Sequence, residues 1–89
     1  MARMHYIKRW YEIQATYEIL TKAGYTFDSI YALNIENVYY ITEETFKKTI
    51  YERKTNGIQE DEKAMIKNRV FTGLVCRRFI NRIGEMVLD

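Results

Sequence analysis

Residues 37–42 read NVYYIT, and they decide the fold class, because Val38, Tyr39, Tyr40, Ile41 and Thr42 are the β-branched and aromatic types that favour strands. No other run in the chain offers a partner strand, and a lone strand leaves its backbone N–H and C=O groups unsatisfied. The segment is therefore read as helix, part of a helix over 35–54 that follows Asn34 as its cap and turns Val38, Phe46 and Ile50 toward a core. On that reading the chain is all-α, and strand at 37–42 is the alternative that stays open.

Toward the N-terminus, Thr26 caps a short helix over 27–33, and Gly24 stands where a left-handed residue ends a helix over 4–23. In that first helix Tyr6, Trp10, Ile13, Tyr17 and Leu20 fall within a stripe of about 80°. Lys8 with Glu12 and Glu18 with Lys22 are spaced as supporting ion pairs. A second apolar line, Met4, Ile7, Tyr11 and Ala15, runs along its other side, so the helix is either covered on both sides or partly an interface.

Toward the C-terminus, Asn56 and Gly57 make the clearest break. Beyond it, Phe71, Val75, Phe79, Ile83 and Val87 recur every four residues, with Cys76 and Ile80 beside them, which predicts one buried face on a helix over 60–87. Lys63, Lys67, Arg77, Arg78 and Glu85 take the opposite side. Gly73 and Gly84, eleven apart, share a side of that helix, either as sites of close backbone approach or as tolerated weak points. The expected fold is a compact all-α bundle of three to four helices. It forms one domain over residues 1–89, with a long amphipathic C-terminal helix at its centre.

Composition bounds the function. Of 89 residues 47% are apolar, 15% aromatic and 29% charged, with no proline. A chain of this size buries roughly 60–65% of the surface its unfolded form exposes, so one core consumes most of its apolar residues. The apolar fraction argues against wholesale disorder. The longest charge-free runs, 29–35 and 70–76, hold seven residues each, well under the roughly 20 that span a bilayer, and they are short for a signal-peptide core. A soluble, unprocessed, cytoplasmic protein without a membrane partner is expected. One cysteine forms no internal disulfide, which fits a reducing compartment. Phe, Tyr, Met, Ile, Asn and Lys, with A/T-rich codons, number 39, against 16 for Gly, Ala, Arg and Pro. That points to a low-GC bacterial genome or one of its phages, in which case the location is the host cytoplasm.

The inventory for catalysis is thin. His5 near the chain start and Cys76 on an apolar face are not partners, and a thiol buried among apolar groups is inert. No Gly-rich phosphate loop, zinc-spaced Cys/His set or calcium loop occurs. Glu43 with Glu44, and Glu60 with Asp61 and Glu62, are adjacent acids at helix starts, where the helix dipole favours them. No enzyme activity, cofactor or metal is expected.

Residues 20–33, LTKAGYTFDSIYAL, place Gly24 at a turn with Thr26, Ser29 and Ile30 two, five and six residues on, and this spacing resembles helix-turn-helix DNA-binding segments. The resemblance implies DNA readout through 27–33. Leu20 departs from it where that family has a small residue, and Asp28 departs from it in a helix without Lys or Arg. Residues 24–46, GYTFDSIYALNIENVYYITEETF, also resemble short helical segments of small phage tail-assembly chaperones, which implies a phage protein that binds other proteins.

Eight tyrosines and one tryptophan are more than a small core comfortably buries, because each hydroxyl needs a partner or water. A non-enzymatic protein-binding module follows, a phage or mobile-element accessory acting as inhibitor or adaptor on a larger host or virion protein. Ile7, Tyr11, Tyr39, Tyr40, Arg77 and Arg78 are its expected contacts. The alternative is a small nucleic-acid-binding regulator that uses Lys63, Lys67, Arg77, Arg78 and Arg82, or a degenerate helix-turn-helix. Charge does not favour it: residues 1–22, 23–62 and 63–89 carry +2, −4 and +4, segments that can neutralise one another in a compact bundle. A homo-oligomer, with two last helices meeting at Gly73 and Gly84, is compatible with either function.

Overall fold

The computed structural model describes residues 2–52 and 57–79. These form α1 (Ala2–Lys22), α2 (Phe27–Ile30), a π-helical turn (Tyr31–Ile35), α3 (Glu36–Tyr39), α4 (Glu43–Glu52) and α5 (Glu60–Cys76), with no strand among the described residues. The fold is all-α.

The central helix is α1, not the last one. Helices α2, α4 and α5 all pack against it. Its buried residues Ile13, Ala15, Thr16 and Leu20 point to more than one side, as a helix sandwiched between others requires. At 1.5 Å per residue α1 is about 31 Å long, most of the 41 Å long axis of the molecule. Along the second apolar line Ala15 is thus buried and Ile7 and Tyr11 are half-buried.

Both long helices end in the same way. Gly24, at φ 101°, donates its N–H to the Thr21 carbonyl at 3.0 Å, and Tyr25 N–H reaches back to the Leu20 carbonyl at 3.0 Å. This paired motif satisfies carbonyls that a helix end otherwise orphans. In α5 the bonds are Arg78 N–H to Val75 carbonyl, 3.0 Å, and Phe79 N–H to Leu74 carbonyl, 2.9 Å, with Arg78 itself left-handed at φ 65°. The helix expected to run to 87 therefore stops at Cys76. Ile80, Ile83, Gly84, Glu85 and Val87 lie outside the described residues, as do Asn56 and the expected helix end at 54. The two caps meet: the Tyr25 hydroxyl donates to the Phe79 carbonyl at 3.0 Å, and their rings pack edge to face at 5.8 Å.

Phe46 is fully buried and organises an aromatic cluster, stacked on Phe27 at 5.0 Å and Tyr31 at 5.8 Å and edge-on to Tyr17 at 5.8 Å. From α5 the core takes Ile66, Val70 and Leu74, whereas Phe71, Val75 and Phe79 stay half-buried at its margin. The expected buried line is one residue out of register, a rotation of about 100° around the helix. Cys76 lies beyond that margin and is exposed, not a core residue. Gly73 has open space where a Cβ would stand, with no backbone among the described residues close to it.

The helix expected over 35–54 is two helices. Tyr40 adopts φ 56° and ψ 45°, which ends α3, and Thr42 opens α4 by accepting the Thr45 N–H at 3.2 Å. Residues 37–42 are thus neither one helix nor a strand. Glu43 and Glu44 occupy the first turn of α4, and Glu60, Asp61 and Glu62 that of α5, as the adjacent acids indicate. Thr26 caps α2 as expected, accepting the Ser29 N–H at 3.2 Å. Asn34 does not cap a helix. It is buried inside the π-helical turn, with no hydrogen-bond partner for its side-chain amide.

Candidate functional site

The left-handed turn at the end of α3 separates two consecutive tyrosines: Tyr39 is 8% exposed and Tyr40 85%. Three contacts pin Tyr39. Its hydroxyl donates to Glu12 Oε1 at 2.8 Å, its carbonyl accepts from the Arg9 guanidinium, and that guanidinium lies 5.6 Å from its ring centre. The second Glu12 oxygen accepts from Arg69 Nη2 at 3.3 Å. One carboxylate on α1 thereby ties the end of α3 to the middle of α5. Burial, and then the bond to the Glu12 carboxylate, push the Tyr39 phenol far above its ordinary value, so it stays a neutral donor.

Tyr40 stands at the edge of a groove of about 750 Å³ whose other walls include Lys8, Arg9, Glu12, Val38 and Arg69. Past Val38 the surface continues to Gly73 and Arg77. On the other side of Tyr40 a recess is formed by Tyr6, Trp10 and Ile41. Tyr6 and Val38 are exposed like Tyr40, so apolar side chains border a groove rich in cations. Lys8 is paired with Glu62 at 2.6 Å, and Glu12 with Arg69; the expected Lys8–Glu12 pair within α1 gives way to these bonds to α5. Glu18 and Lys22 do pair, at 3.4 Å. No group of three or more metal-binding side chains occurs among the described residues.

The predicted contact residues separate. Tyr40 and Arg77 line this continuous surface, Arg77 with its guanidinium 5.7 Å from the Phe79 ring centre. Tyr11 lines a different recess, with Gln14, Tyr17 and Ile50, and lies under the Lys63 ammonium at 5.8 Å. Ile7 is half-buried, and Arg78 is exposed in the cap of α5. Tyr39 is corrected from contact to anchor, since its ring is buried and its hydroxyl already bonded.

The predicted nucleic-acid set forms no unbroken helical track. Lys63 is paired with Glu60 at 3.7 Å, Lys67 is exposed, α5 ends before Arg77 and Arg78, and Arg82 lies outside the described residues. The helical run 27–39 exposes Asp28 and Glu36 and contains no Lys or Arg to meet phosphates. Arg9, Glu12, Val38 and Arg69 were absent from the predicted site. Their grouping depends on three elements meeting, and the only local signal was the neighbouring Tyr39–Tyr40 pair.

Comparison with known proteins gives no match, whether to a protein-family model, to a curated protein or to a solved structure. Among the described residues no helix is long and apolar enough to cross a membrane.

Proposed function

We propose that this chain is a small non-enzymatic protein-binding module that occupies a surface on a larger protein, with Tyr40 at the centre of its contact face. The observation that carries the reading is Tyr40 itself. A bulky residue in the left-handed region is an outlier that sits above its relaxed energy, and here the strain serves to expose a large aromatic side chain to solvent. Tyrosine brings wide contact area at low entropic cost, and guanidinium groups beside it are the usual companions in binding hot spots. A phage or mobile-element accessory that modulates a host or virion protein is the biological setting that fits the excess of residue types with A/T-rich codons.

Tagged protein used as bait in a nuclease-treated low-GC bacterial lysate at moderate salt tests the reading. Tyr40→Ala is expected to lose the captured partner while Tyr51→Ala, equally exposed at 82% but on the regular helix α4, keeps it. Equal capture by both variants refutes the Tyr40 face. The competing reading, a nucleic-acid-binding regulator, rests on the exposed Lys67, Arg77 and Arg78. It predicts that all partners vanish on nuclease treatment and that binding falls steeply with salt.

A further inference from the structure

We infer that the groove beside Tyr40 receives an acidic linear segment of the partner protein, one Asp or Glu side chain entering between Arg9 and Arg69 while an adjacent apolar residue packs on Tyr40 and Val38. The inference rests on the protein-binding reading above and adds the chemistry of the partner.

Charge complementarity carries it. Among the described residues the groove and its continuation present Lys8, Arg9, Arg69 and Arg77 against one lining carboxylate, Glu12, with Glu62 beside them as the partner of Lys8. Glu12 is already committed to the Tyr39 hydroxyl and to one nitrogen of Arg69. The Arg69 side chain is 69% exposed, and its contact to Glu12 is one bond of 3.3 Å, which leaves the rest of its planar fork open. Arg9 is exposed and directs its guanidinium to the Tyr39 carbonyl; no ion pair to it, or to Arg77, occurs among the described residues. A carboxylate matches these forks with two parallel charge-assisted bonds.

A carboxylate is favoured over a phosphate backbone for two reasons. The cations are interrupted by Glu12 and by the Lys8 partner Glu62, so a continuous polyanion laid along them meets carboxylates. Beside Tyr40 on the rim lies the exposed aliphatic Val38, a surface that an apolar peptide side chain covers better than a stacking base does. Trp10, the one tryptophan in the chain, lines the adjoining recess and serves as an internal reporter.

The test pans a random linear peptide library on the full chain, then titrates the enriched peptides by Trp10 fluorescence, alongside single-stranded oligo-dT. Peptides rich in Asp or Glu next to an apolar residue are expected. Arg9→Gln and Arg69→Gln should each weaken them about tenfold or more, the loss that goes with a charge-assisted hydrogen bond, and Tyr40→Ala should weaken them as well. Lys48→Gln, which lines neither the groove nor the adjoining recess, should leave them unchanged. Neutral or basic peptides that require Tyr40 but not the arginines would overturn the acidic partner and leave the binding module standing. Peptides indifferent to Tyr40 would overturn both. Oligo-dT binding that needs the same arginines would assign the groove to nucleic acid, and a failure to enrich acidic sequences over the starting library also overturns the inference.

Discussion

Tyr40 and Arg78 hold a backbone conformation in which an L side chain crowds its own carbonyl, at about 1–2 kcal/mol each. Glycine escapes that crowding but gains freedom in the unfolded chain, so Arg78→Gly and Tyr40→Gly should each stabilise the fold by roughly 1 kcal/mol, read as a higher urea midpoint. The two part in function: Tyr40→Gly should lose partner capture as it gains stability. The Tyr39 phenol makes a second, pH-dependent case. Removing its bond to the Glu12 carboxylate in Tyr39→Phe should cost about 1–2 kcal/mol at neutral pH. Its folded-state pKa is raised above the ordinary 10.0, so the folded chain holds this proton more tightly than the unfolded one. Its contribution is therefore fully present below about pH 10 and drains away as pH rises from there toward the folded value, by up to about 1.4 kcal/mol per pH unit. Urea midpoints of the two proteins should differ by a constant amount up to about pH 9 and converge above pH 10.

At the scale of elements, what was legible in the sequence was local chemistry. Thr26, Gly24 and the acids at 43–44 and 60–62 mark helix ends because a cap needs only a few neighbouring residues, and each lies where it was read. The break at Tyr40 was missed because nothing in YYIT demands a left-handed residue. The turn directly follows Tyr39, whose anchors Arg9 and Glu12 lie some thirty residues away in sequence. The α5 register was missed for a related reason: the apolar line 71–75–79 is as regular as 66–70–74, and only the position of α1 selects between them. An unbroken helix over 35–54 leaves Thr42 no capping role, whereas the break at Tyr40 gives it one. Thr42→Ala should cost about 1 kcal/mol and fray the first turn of α4, visible as faster amide exchange at Thr45. Gly73→Ala reports on α5: with open space at the new Cβ, it should stabilise by about 0.5–1 kcal/mol through helix propensity. If two copies met at Gly73, the same variant would instead lower the oligomer mass in light scattering.

For the whole molecule, the sharing of α1 decides how it unfolds. On one side α1 packs against α5, and on the other Tyr17 joins it to the cluster of Phe27, Tyr31 and Phe46. Neither half keeps its core without α1, so the bundle should unfold in a single step despite two packing sides. A domain of this length has about 4–13 kcal/mol of stability, and Phe46→Ala, which empties the centre of the cluster, should remove about 3–5 of it. Phe46→Leu, which keeps most of the volume, should lose less than half as much. The check is whether Trp10 fluorescence, which reports the recess between α1, α3 and α4, and far-ultraviolet dichroism, which reports all helices, move to the same lower urea midpoint in Phe46→Ala. Coincident transitions mean that damage on the α4 side passes through α1 to α5, which carries Arg69 of the groove. If Trp10 moved to the lower midpoint while part of the helix signal kept the wild-type one, α1 and α5 would stand as a unit of their own, and the aromatic cluster would be an appendage to the groove instead of its foundation.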